Sequence, residues 1–257
     1  MGTMARRVTV LAVALAVFVP ATNAVARSER EENAGTPAPQ RSRRPAITGG
    51  HDRKSAWLLA SYRELQVNKI SDRATRAITI EMQVGNDRVT VAVAQGAVSV
   101  ARNGRSIVLD SAEAMQALQQ ILGGSEAIFA AKAMLSELEA TSELNAHDMS
   151  LLSATAFVAS LVGDIDAPQR IADRFVEKYR GIYRQVGMPT GRCWSAYTTE
   201  TTAAWDELQG CMADADQKDF FRAAWERIAC NGVWLGRSES AWFEYLNCLS
   251  PLGAINQ

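Results

Sequence analysis

The chain of 257 residues holds four cysteines and two histidines, and their spacing limits the chemistry open to them. Cys193, Cys211, Cys230 and Cys248 are separated by 17, 18 and 17 residues. Zinc ligands normally lie two to four residues apart, so no metal site is expected, and no sequence feature calls for a cofactor. An even number of cysteines confined to one segment of an exported chain reads instead as a disulfide framework.

His147 is the one histidine in the part expected to fold. With Asp148, Ser150 and Ser153 it has the composition of a hydrolytic triad, but neighbours at a helix start do not converge on one substrate. A hydrolase would have to bring distant acids or hydroxyls to His147. Glu207 and Glu244 occupy equivalent places in a repeat, yet each follows a tryptophan by two residues, about 200° round a helix from the core side, and should be solvated. Asp164 and Asp166 flank a helix boundary, where aspartate caps. The sequence lacks G-x-S-x-G, H-E-x-x-H, C-x-x-C and a phosphate-binding glycine loop. No catalytic residue is assigned.

The cysteines belong to an internal repeat. Residues 193–211 and 230–248 superpose at an offset of 37, each with an aromatic four residues after the first cysteine (Tyr197, Trp234), an Ala-Trp pair, a glutamate and a closing cysteine. Ala224-Trp225-Glu226 gives a third copy of the core motif. Three helices are expected, over residues 199–212, 216–230 and 238–249, with Asn231-Gly232 ending the second. Helices of about 13 residues rise about 20 Å, whereas bridged Cα atoms lie within about 7 Å. Up-down-up packing therefore predicts Cys193 with Cys230 and Cys211 with Cys248. Trp205, Trp225 and Trp242 lead core stripes; Trp194, Tyr197 and Trp234 fall in the connecting loops and form the candidate binding surface.

Residues 1–26 read as a secretory signal: Arg6 and Arg7, an apolar run broken by Pro20, and an A-x-A site ending at Ala26. The run is too short to span a bilayer, so no membrane span is expected after signal removal. Without Arg6 and Arg7 the chain carries 25 basic and 28 acidic residues, which leaves no basic excess for nucleic acid. Residues 27–55 contain no Phe, Tyr, Trp, Leu or Met and read as a disordered linker.

Positioning elements follow. Trp57, Leu58, Tyr62, Leu65 and Ile70 predict a short helix over residues 56–70. Turns at Asn86-Asp87, Gln95-Gly96 and Asn103-Gly104 predict a four-stranded antiparallel meander over residues 77–109. They set Val84 against Val89, Val93 against Val98 and Val100 against Ile107, with all the large apolar side chains on one face. Arg102 faces Arg105 beside the last turn, with both heads expected in water. An Asp110-started helix packs on the sheet, one starting at Ser125 follows, and an Asp148-capped helix over residues 149–162, apolar nearly all round, is the central one. A long amphipathic helix then runs on through residue 187.

The sequence thus predicts an α+β fold: a four-stranded antiparallel β-meander covered by helices (residues 56–190), followed by a disulfide-stapled three-helix module (residues 191–257). The function read from it is an exported, secreted or periplasmic, non-enzymatic binding protein whose partner is an unknown protein or small molecule, the alternative being a secreted hydrolase built on His147.

Overall fold

The structure is a computed structural model that describes residues 44–52, 54–141, 144–179 and 189–249; the stretch read as a secretory signal, the stretch read as linker up to residue 43, and residues 53, 142–143, 180–188 and 250–257 lie outside them. Its base is one antiparallel sheet of seven strands in sequence order: β1 (Ala46–His51), β2 (Ser55–Tyr62), β3 (Leu65–Asp72), β4 (Ala77–Val84), β5 (Asp87–Ala94), β6 (Ala97–Arg102) and β7 (Arg105–Leu109). The expected four-stranded meander is therefore overturned: three strands precede it.

Two of them occupy the stretch read as a helix. Ala56, Leu58, Ala60 and Tyr62 are buried while Trp57, Leu59 and Ser61 are exposed, a period of two that only a strand produces. The apolar Trp57 and Leu59 on the outer side hide that alternation in the sequence. Strand β1 falls in the stretch read as linker. Its small residues suit the site, because a Cβ on Gly49 would stand 2.8 Å from His147 Nδ1, and backbone pairing with β2 supplies what side chains do not.

The β5–β6 and β6–β7 registers are as expected, Val93 facing Val98 and Val100 facing Ile107. Gln95 and Asn103 adopt positive φ of 51° and 50° ahead of their glycines, as two-residue hairpin turns require. The β4–β5 pairing is shifted by two residues, with Val84 against Asp87 and Met82 against Val89. The turn is Gly85-Asn86, Gly85 taking φ 56°, and a shift of two keeps every side chain on its face.

That shift frees Asp87 for another task. Its carboxylate accepts from Ser125 Oγ (2.6 Å), Ala127 N (3.1 Å) and Arg102 Nε (2.6 Å). Burial works against ionisation, but these bonds hold the carboxyl below its ordinary range. Arg102 does face Arg105, but its head is not in water: Nη1 also donates to the carbonyls of Ile121 and Gly123. It thereby satisfies carbonyls at the C-terminal end of the helix over Ala112–Leu122.

Six helices follow the sheet among the described residues: α1 (Ala112–Leu122), α2 (Glu126–Ala140), α3 (Ala146–Leu161), α4 (Ala167–Tyr179), α5 (Pro189–Ala215) and α6 (Phe220–Leu249). Helix α3 is the central one, with every residue from Asp148 to Leu161 buried. It starts three residues earlier than expected, because Asn145 is the cap and Asp148 closes the capping box. Ser111, not Asp110, caps α1. Helix α2 lies on β4 and β5, α1 on β6 and β7, and α3 on β1 and β2, while α6 packs on α3 and α1.

The three-helix module is overturned as well: α5 and α6 form one long hairpin. Asn231-Gly232 does not end a helix. Both residues are buried mid-α6, where Asn231 Nδ2 donates to the Ile165 carbonyl and Gly232 lies against Val98 and Phe157. The disulfides are Cys193–Cys248 and Cys211–Cys230, with Cα separations of 5.6 and 5.8 Å, not the pairs expected from three helices. In each helix the two cysteines are 18 residues apart, five full turns, so both lie on one side about 27 Å apart. Antiparallel packing then brings the outer pair and the inner pair level, as two rungs. The two disulfides are compatible with an exported protein.

Candidate functional site

Strand β3 turns Leu65, Val67, Lys69 and Ser71 inward. The last two are polar, and what makes their burial tolerable comes from α3 and α6. Lys69 is 0 % exposed and pairs with Glu239 of α6, itself 2 % exposed. Lys69 Nζ also donates to Ser150 Oγ of α3 and stands 4.7 Å from the Trp242 ring centroid. Ser150 Oγ donates to Glu239 Oε1 (2.8 Å) and Ser71 Oγ to Oε2 (2.7 Å). Every charge and hydroxyl in the cluster has a partner, the condition under which such a network is tolerated in a core. Burial pushes the Lys69 ammonium below the ordinary lysine range, against the opposing pull of Glu239.

A serine beside a lysine suggests nucleophilic chemistry, but both hydroxyls here spend their hydrogens on Glu239. Ser150 is 2 % exposed, so no substrate reaches it in this conformation. The cluster acts as a clamp that ties the middle of the sheet to α3 and α6.

Above the clamp a cleft of about 580 Å³ opens between the β3–β4 turn and α6, within the size range of small-molecule sites. Ser71 and Glu239 reach it from the clamp; Ile78, Val233 and Phe243 give it an apolar wall; Arg73, Arg76, Arg237 and Glu244 line it with charge. Asp72, at the foot of the turn, accepts from the backbone N–H of Ala74 and Thr75, and those bonds, Thr75 foremost, hold its carboxyl below the usual value. Arg237 is tied to Glu207 and Glu200 of α5. Arg73 and Arg76 make no ion pair or side-chain hydrogen bond among the described residues. Gly236 has open space where a side chain would start, so the α6 wall is bare there.

The residues expected to bind lie elsewhere. Val233-Trp234-Leu235-Gly236 is helix, not loop, and Trp234 is 3 % exposed. Tyr197 is buried and Trp194 half-buried on α5, where they cluster with Phe175 and Tyr245 at ring separations of 5.3 to 6.3 Å. The continuous helices turn these aromatics inward.

His147 is in the first turn of α3, edge-on to Trp242 at 5.6 Å, with Nδ1 buried and without a hydrogen-bond partner. Asp148 is engaged by Arg44 and by the Asn145 N–H. Glu207 and Glu244 are exposed, and Asp164 holds Arg170 in a two-bond fork of 2.7 and 2.9 Å. Among the described residues no group of three or more His, Cys, Asp or Glu side chains is placed to hold a metal, and no helix is long and apolar enough to cross a membrane.

Two signals could have found the clamp. Lys69 and Ser71 keep the parity of Leu65 and Val67 once residues 65–72 are read as a strand. Glu239 lies three residues before Trp242, on the same helix stripe, which implies a buried carboxylate needing a cation. No protein-family model, curated protein or solved structure matches this chain.

Proposed function

We propose that the protein is an exported, non-enzymatic binding protein, secreted or periplasmic, that holds a small molecule in the cleft between the β3–β4 turn and α6. One observation carries this reading: the cleft has an apolar wall, a clamped floor and two arginines with no ion-pair partner among the described residues. Its walls are held in place, the floor by Lys69–Glu239 and α6 by two disulfides to α5, so little ordering remains to oppose binding. Trp194 and Tyr197, clustered with Phe175 and Tyr245, and the buried Trp234 then serve as packing. A hydrolase built on His147 has less support, since its Nδ1 has no hydrogen-bond partner and Asp148 is committed to Arg44 and Asn145.

Ligand-induced thermal stabilisation tests the proposal. At a ligand concentration 100 times Kd the folded state gains about 2.7 kcal/mol, which raises Tm by roughly 5–10 °C in a chain of this size. In a panel of anionic, cationic and neutral small molecules, at least one class should raise the Tm of the wild type and not that of Gly236→Trp, whose side chain fills the cleft without meeting a neighbour at its Cβ. Equal shifts in both proteins would overturn the reading.

A further inference from the structure

The charges around the cleft are not balanced in the way their number suggests. Six ionisable side chains line it: Asp72, Arg73, Arg76, Arg237, Glu239 and Glu244. Glu239 is matched internally by Lys69 and accepts from two serine hydroxyls. Arg237 is matched by Glu207 and Glu200 outside the cleft. Asp72 is consumed by its own turn and lies near Lys54, whose charge also steadies the carboxylate. What remains for an incoming molecule is Arg73 and Arg76 against Glu244 alone, two forked cations three residues apart on one tight turn.

Guanidinium groups prefer planar, bidentate partners, namely carboxylates and phosphates. Beside them the wall is apolar, made by the exposed Val233 and the buried Ile78 and Phe243. We infer that the cleft takes a small organic anion, its carboxylate or phosphate head held by Arg73 and Arg76 and a short apolar body laid on Ile78, Val233 and Phe243, an inference that rests on the cleft being the binding site. The buried Glu239 does not repel such a ligand, because its charge is already compensated at closer range by Lys69. The exposed Glu244 also lines the cleft, and its charge disfavours a second negative group on the ligand.

Four probes of one body and different heads test it by calorimetric titration of the oxidised full chain: hexanoate, hexyl phosphate, hexylamine and hexanol. Hexanoate or hexyl phosphate should bind more tightly than the other two, and which of them is tighter assigns the head. Affinity for the anion should fall about tenfold or more in the Arg73→Ala/Arg76→Ala double variant, as loss of charge-assisted bonds implies, with an unchanged Tm because both residues are exposed. Hexylamine or hexanol binding as tightly as the anions, with no effect of the double variant but loss in Gly236→Trp, would overturn the anion assignment and leave the cleft reading standing. Anion binding that survives Gly236→Trp would overturn both. Absence of heat with all four probes would overturn the anion assignment, the thermal panel then remaining the test of the cleft.

Discussion

Replacing Lys69 with methionine removes the cation of the clamp and keeps its volume. Glu239 would then be left 2 % exposed, with only the Ser71 and Ser150 hydroxyls to satisfy it. Trp242 would also lose the ammonium over its ring. Breaking one side of a buried ion pair costs about 3–5 kcal/mol, because a buried charge remains, whereas replacing both partners by apolar groups is often close to neutral. Lys69→Met should therefore destabilise by about 3–5 kcal/mol, and Glu239→Leu by a similar amount through the stranded Lys69. The Lys69→Met/Glu239→Leu double variant should cost only about 1–2 kcal/mol, the two serine hydroxyls being deprived of their acceptor. Urea unfolding followed by tryptophan fluorescence at pH 7 measures all three. Single variants that cost under about 1 kcal/mol, or a double variant equal to the sum of the singles, would refute the clamp, since residues in one network couple and independent ones add.

The disulfides give a second check: a non-reducing peptide map should contain the 193/248 and 211/230 links only. The chain-entropy model makes loss of Cys193–Cys248, with a sequence separation of 55, about 1 kcal/mol more costly than loss of Cys211–Cys230, with a separation of 19. Paired Cys→Ser variants compared by urea midpoint would show the order. Burial, followed by the charge of Lys69, holds His147 below the ordinary histidine value of 6.5, Asp148 opposing and His51 adding to the effect. A histidine whose folded value is depressed leaves the unfolded chain to take the proton first as pH falls below about 6.5, so stability drops there and is recovered above it. Wild type should lose more stability between pH 7 and 5 than His147→Gln; parallel curves would contradict that assignment. Trp234→Ala, at a site 3 % exposed, should cost about 3–5 kcal/mol and leave the calorimetric affinity of the cleft ligand within about threefold, whereas an unchanged Tm with lost binding would return Trp234 to the binding surface.

The meander from β5 to β7 was legible because Gln95-Gly96 and Asn103-Gly104 announce their turns and the valines alternate cleanly between them. Strands β2 and β3 were not, for two local reasons. Arg63-Glu64, with Arg63 at φ 53°, is a turn without glycine or asparagine, and Trp57 and Leu59 put apolar side chains on the outer face. The third reason is non-local: Lys69 looks like a solvent-facing residue until Glu239, 170 residues later, supplies its counter-charge. The hairpin of α5 and α6 shows the opposite failing. Asn-Gly carries a strong local preference to end a helix, and it was overridden because Gly232 is the close approach of α6 to Val98 and Phe157. The five-turn spacing of the cysteines is present in the sequence, and on two long helices it gives both rungs at once. The cleft combines a turn and a helix more than 150 residues apart, and only the folded chain brings them together.

Amide-resolved NMR of the oxidised protein during titration with hexanoate or hexyl phosphate locates the bound anion residue by residue. Shift changes should be confined to residues 71–78 on the β3–β4 turn and 233–244 on α6, saturating with the calorimetric affinity and absent in Gly236→Trp. Changes centred instead on Trp194 and Tyr197, on His147, or on the acidic depression formed by Asp173, Glu177 and Asp206 between α4 and α5 would contradict it.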